Sequence, residues 1–157
     1  MLLCDEGRVD SVLCKEFKAA LEARSDAQTL KQRILSIENA PLDSLLLDQI
    51  NAGYVKGEEL FESEYFGDAA RRFETSVEGY SRILTQYETI REDKLREADQ
   101  LLDEKQFNLA LKAYKLVETW EASDDTKEGI ELASRGIKED STLRQVDKLV
   151  EQKKYSE

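Results

Sequence analysis

The stretch GEELFESEYFGDAARRF, Gly57–Phe73, returns as ADQLLDEKQFNLALKAY over Ala98–Tyr114. Phe66 aligns with Phe107, Ala69 with Ala110 and Phe73 with Tyr114, an offset of 41 residues. A third copy opens as VDKLVEQKKY, Val146–Tyr155, with Tyr155 lying 48 residues beyond Phe107. A weaker early echo, CKEFKAA, occupies Cys14–Ala20. Self-similarity at such periods marks helical units that bury their faces against one another, and such stacks serve as binding scaffolds more than as catalysts. The third copy stops at Glu157 without its second helix, so the sequence reads as a piece of a longer protein.

Each copy sets a small residue, an apolar residue three later, alanine twelve after the small one and an aromatic four beyond that. These are Gly57, Leu60, Ala69 and Phe73, then Ala98, Leu101, Ala110 and Tyr114. Antiparallel helices approach closely only where small side chains face each other, and the aromatic fills the space that remains. Phe66, Ala69, Phe73, Phe107, Ala110 and Tyr114 are therefore the expected core.

Composition agrees with an all-α chain. One proline, Pro41, and seven glycines leave few turns, and Leu, Glu, Lys, Ala, Arg and Asp dominate. Val9, Val12, Leu13, Phe17, Ala20 and Leu21 form one helical stripe. Ser25-Asp26 reads as the start of a second helix, which carries Leu30, Ile34, Leu35 and Ile37 and stops before Pro41. The next helix begins at Pro41 or Asp43 and runs to about Glu64.

Tyr65–Asp68 is expected to be a tight turn, with Gly67 at positive φ and Asp68 as cap. From 68 to 105 only Gly79 interrupts the helix formers. One isolated glycine costs a helix about 1 kcal/mol against alanine. The sequence thus predicts either one helix over 68–105, about 57 Å long at 1.5 Å per residue, or a break near Thr89–Asp93. Gln106-Phe107-Asn108 is the second expected turn, with Asn108 as cap. Ser123 and Ser141 are expected to start the last two helices.

The motif resembles the tetratricopeptide repeat, whose small, alanine and aromatic positions share this spacing. The likeness covers about 50–77 and 91–117, and part of 139–157. It implies an all-α array of antiparallel helical hairpins, a tetratricopeptide-like α-solenoid. The parts are N-terminal helices in 1–40, repeat 1 in 42–90, repeat 2 in 91–138 and the start of a repeat 3 in 141–157. The period of 41 and then 48 residues exceeds the 34 of that family, and the helix-closing proline is absent, so longer helices between hairpins are expected.

The resemblance also implies a partner face on the inner side of the array. Carried over by position, it comprises Asn51, Tyr54, Glu58, Phe61 and Glu62 in one copy, and Glu92, Leu95, Asp99, Leu102 and Asp103 in the next. Acids flanking apolar anchors suit a basic or amphipathic protein or peptide. The competing reading makes the apolar residues ordinary core and the acids a solvated face.

Other functions fare worse. With 34 acidic and 23 basic residues the net charge is −11, which disfavours nucleic acid and anionic membrane surfaces. There is no histidine, so the commonest general base and metal ligand is missing. The acidic pairs Glu58–Glu62 and Asp99–Asp103 have di-metal spacing but lack the histidines such sites use. No phosphate loop, nucleophile elbow or dinucleotide fingerprint is present, so no enzyme, cofactor or metal is expected. Cys4 and Cys14 read as small buried residues, with a disulfide as the alternative. No apolar run reaches the ~20 residues of a membrane span.

The expected function is a non-catalytic binding or scaffolding module. The alternatives are a self-associating spacer, dimerising through the C-terminal copy, and a regulatory domain attached to an enzyme outside the segment. The expected compartment is the cytoplasm, with the periplasm the alternative for a fragment of an exported protein.

Overall fold

The computed structural model describes residues 12–156. Among these it contains five α-helices and no strand: α1 Val12–Leu35, α2 Ser44–Glu62, α3 Phe66–Asp103, α4 Phe107–Trp120 and α5 Asp124–Lys154. The chain divides into two compact units. The first holds α1, α2 and α3 as far as Glu88; the second holds Glu38–Ala40, α3 from Thr89, α4 and α5.

Helix α1 is a single element, not two. Ser25 lies inside it, and its carbonyl accepts a hydrogen bond from Thr29 Oγ1 at 3.0 Å. Serine and aspartate in a helix interior cost only about half a kcal/mol each. Ala20, Ala23 and Ala27 are buried in one register across the expected break, and that continuous packing outweighs the local start signal. Cys14 is buried and disulfide-bonded. Cys4, the other cysteine of the sequence, lies outside the described residues, as does Val9.

Asp43 caps α2, accepting from the Leu46 amide at 2.9 Å. The turn that follows is upstream of its expected place. Glu64 takes positive φ, 63°, where Gly67 was expected to. Its amide bonds the Phe61 carbonyl, and the Tyr65 amide bonds the Leu60 carbonyl. That pair of bonds closes the helix in a Schellman arrangement. Gly67 and Asp68 therefore lie in the first turn of α3.

The second echo repeats this turn at the same offset. Lys105 takes φ 59°, its amide bonds the Leu102 carbonyl, and the Gln106 amide bonds the Leu101 carbonyl. Asn108 is thereby drawn into α4, and Gln106 is the N-cap residue, without a side-chain cap.

Helix α3 runs unbroken for 38 residues. Ile90, where the apolar stripe slips, is simply exposed. Ser123 caps α5 through a reciprocal capping box with the buried Thr126. Helix α5 then passes through Ser141 without a break. No proline or glycine follows Gly136, so nothing in that stretch stops the helix. Its residues from Lys138 onward are exposed, including Leu143, Val146, Leu149 and Val150.

The small positions do the work their spacing implies. In the first unit, a Cβ placed on Gly57 would lie 2.8 Å from the Phe73 ring. In the second, Ala98, Ala110, Ala113, Tyr114 and Ala133 form one buried cluster. Gly129 and Gly136 of α5 bring its backbone onto the Tyr114 and Phe107 rings, where a Cβ would lie 2.3 and 2.4 Å away. Of the six expected core residues five are buried; Phe107 is only half-buried, beside the exposed end of α5.

Candidate functional site

The face read from the first copy lies on α2, and α1 already occupies it. Tyr54 is buried and Phe61 half-buried. Phe61 meets Phe17 of α1 with ring centroids 5.8 Å apart, Phe66 at 5.2 Å and Phe73 at 6.4 Å. Tyr54 packs on Phe73 at 5.4 Å. Arg24 of α1 grips Glu58 with both arms of its guanidinium, Nε to Oε1 at 2.7 Å and Nη2 to Oε2 at 2.5 Å. The same guanidinium lies 5.1 Å from the Phe61 centroid, and Lys31 Nζ lies 4.8 Å from that of Tyr54. Asn51 accepts from the Tyr80 hydroxyl at 2.7 Å. Glu62 remains exposed.

Titration behaviour follows from that packing. Burial alone pushes the Glu58 carboxyl up, but hydrogen bonds from Arg24 and Tyr54 and the positive charges of Arg24 and Lys31 bring it below its ordinary value. Burial, then the neighbouring Glu58, raises the Tyr54 phenol. A bidentate guanidinium–carboxylate contact of this kind is among the stronger polar interactions in proteins. The first copy is thus a charged, aromatic groove with a basic helix laid in it.

The second copy presents the equivalent positions on α3, and among the described residues no basic side chain is paired with its acids. Leu95 and Leu102 are half-buried, packed against the alanine–tyrosine cluster. Glu92, Asp99 and Asp103 are exposed. Among the described residues none of these three acids forms an ion pair. Asp99 accepts from the Tyr114 hydroxyl at 2.5 Å. Burial, then Asp99, pushes the Tyr114 phenol far up, so it stays a donor across the physiological range. Its hydrogen bond engages one oxygen of the carboxylate and leaves the other able to accept.

Sequence reasoning found both sets of face residues and missed what fills the first. Phe17, Arg24 and Lys31 recur every seven residues, which puts them close to one face of a helix. The break expected at Ser25 split that pattern and hid it. Among the described residues no group of three Cys, Asp or Glu side chains is placed to hold a metal ion. No described helix is long and apolar enough to cross a membrane. No family model matches the chain, and no curated protein or solved structure does.

Proposed function

We propose that this chain is a non-catalytic module of tetratricopeptide-like hairpins that binds a protein or peptide on the 92–103 face of α3. The observation that carries this reading is the state of that face. Leu95 and Leu102 are partly open to solvent, flanked by three acids that form no ion pair among the described residues. The equivalent first-copy residues are satisfied within the chain by α1. Apolar anchors rimmed by like charge are what a partner of opposite charge recognises.

Chemical-shift mapping tests the reading. The isotope-labelled protein is titrated with basic, acidic and neutral amphipathic peptides. Saturable shifts centred on Glu92, Leu95, Asp99, Leu102 and Asp103 with any of them support a receptor face. Shifts scattered over the surface, or none, would reject it.

A second reading rests on α5. Leu143, Val146, Leu149 and Val150 are 48–64% exposed on an uncovered helix, and exposed apolar stripes drive association. Sedimentation equilibrium over a hundredfold concentration range discriminates. A mass that stays monomeric throughout removes the self-associating spacer.

A further inference from the structure

The two copies carry equivalent positions, and on the first of them a helix of the same chain is packed. The residue pairs Tyr54/Leu95, Glu58/Asp99 and Phe61/Leu102 are each separated by the repeat offset of 41. On the first face the occupant is α1. It sets Phe17 on Phe61, Arg24 on Glu58 and Lys31 on Tyr54. Rising numbers on α1 meet falling numbers on α2, so the two helices run antiparallel there. Ala20, Ala23 and Ala27, all buried, let α1 lie close. Long helical side chains lean toward the N-terminus of their helix, which lets Arg24 and Lys31 reach their partners from a turn beyond them.

Resting on the reading that 92–103 is a receptor face, we infer that its ligand is a basic amphipathic helix of the α1 type. That ligand has an apolar residue to seat on Leu102, small residues three and six positions later, and an arginine at position seven to meet Asp99. It lies antiparallel to α3. The differences between the copies refine the chemistry. Leucines replace Tyr54 and Phe61, so no ring is left to receive a cation; an aliphatic anchor replaces the aromatic one. Glu92 stands where Asn51 stands in the first copy, so a second cation two helical turns beyond the arginine meets a carboxylate there. Tyr114 holds Asp99 in place as the acceptor. The charges are complementary: three acids on the face form no ion pair among the described residues, and the ligand carries two spaced cations.

The chain supplies its own probe. A fluorescein-labelled peptide of sequence 12–35, with Cys14→Ala, is titrated by anisotropy against the full protein at low salt, alongside Arg24→Gln and Ala23→Pro versions of the peptide. Saturable binding is expected. It weakens tenfold or more with Asp99→Asn protein or with the Arg24→Gln peptide, stays within twofold for Glu58→Gln protein, and falls as salt rises. The peptide changes leave the protein untouched, so their outcome does not depend on how a variant folds. Ala23→Pro breaks the helix and should abolish binding.

Equal binding of the Ala23→Pro peptide, still sensitive to Asp99→Asn, would overturn the helical ligand and leave the receptor face standing. Binding lost on Glu58→Gln but not on Asp99→Asn would mean that the peptide merely exchanges with α1, and would overturn the inference. So would the absence of saturable binding. In that event the chemical-shift panel separates the two failures. Shifts at 92–103 with another peptide class preserve the receptor reading, whereas a blank panel ends both.

Discussion

Gly129→Ala should destabilise the protein, although alanine is the better helix former. Gly129 lies inside α5, where replacing glycine by alanine gains about 1 kcal/mol of helix propensity. The added Cβ would stand 2.3 Å from Tyr114 Cε1 and 2.5 Å from Cδ1. That ring has little room to give: the residue is 2% exposed and its hydroxyl is tied to Asp99. Overpacking a well-filled core costs about 1–3 kcal/mol, and a clash with a pinned ring belongs at the upper end. The net loss is then about 1–2 kcal/mol, or about 2–8 °C in melting temperature for a chain of this size.

Gly53→Ala is the matched control. Gly53 is also interior to a helix, but its Cβ would meet only Ser76 Oγ, at an ordinary 3.8 Å. That variant should gain about 0.5–1 kcal/mol and melt about 1–4 °C higher. Circular dichroism follows the whole chain, and Trp120, the only tryptophan, is buried and reports on the second unit. If Gly129→Ala melted at or above the parent by both probes, the close approach of α5 to Tyr114 would not be the reason that position holds glycine.

Three further outcomes are expected. Ala69→Leu and Ala110→Leu place a branched side chain where exposure is zero, and each should cost about 1–3 kcal/mol in urea denaturation; parental midpoints for both would remove the hairpin packing. Burial, and then the charge of Tyr54, raises the Tyr80 phenol from 10.0 to about 12. The folded state therefore keeps a proton that the unfolded state gives up, and stability present below pH 10 is lost as pH climbs toward 12, at up to about 1.4 kcal/mol per pH unit. Tyr80→Phe should flatten that alkaline limb, and an unchanged slope above pH 10 would show that Tyr80 does not contribute. For Glu58 the sign reverses: its folded value lies below 4.5, so its stabilisation is present above that pH and is lost as pH falls through the lower folded value. A double-mutant cycle of Arg24→Gln and Glu58→Gln should give about 1 kcal/mol of coupling at neutral pH, fading below about pH 4; coupling that persisted at pH 2.5 would contradict the ion pair.

Hairpin positions were legible in the sequence because they depend on size. Gly57 and Ala98 must be small for Phe73 and Tyr114 to pack, and size is written in the residue itself. Turns were less legible. Positive φ was sought at Gly67, since glycine adopts it freely, yet the chain places it at Glu64 and again at Lys105. The strain of an L-residue there is about 1–2 kcal/mol, and the Schellman bonds and flanking leucines offset it. Helix continuity was hidden for a different reason. Ser25 and Ser141 are start signals only where the chain is free to stop, and unbroken alanine burial in α1 and the lack of any breaker in α5 override them. The occupied first face was hidden altogether, because whether a carboxylate is a free receptor or half of an internal ion pair depends on what the fold lays against it.

That last point links the two copies through a single hydroxyl. The aromatic of the motif is Phe73 in the first copy and Tyr114 in the second. Phenylalanine brings no donor, and the two oxygens of Glu58 each accept from the guanidinium of Arg24. Tyrosine brings a buried hydroxyl that needs a partner, and Asp99, the residue next to the small position, supplies one at 2.5 Å. The carboxylate on the second face is therefore already half engaged and already oriented before any partner arrives. An arginine docking there meets an acceptor whose rotamer is fixed, which lowers the entropy lost on binding, but it meets one free oxygen where Arg24 meets two. On the proposed reading, the same repeat makes an internal contact where its aromatic is Phe and offers a weaker, exchangeable one to a partner where it is Tyr.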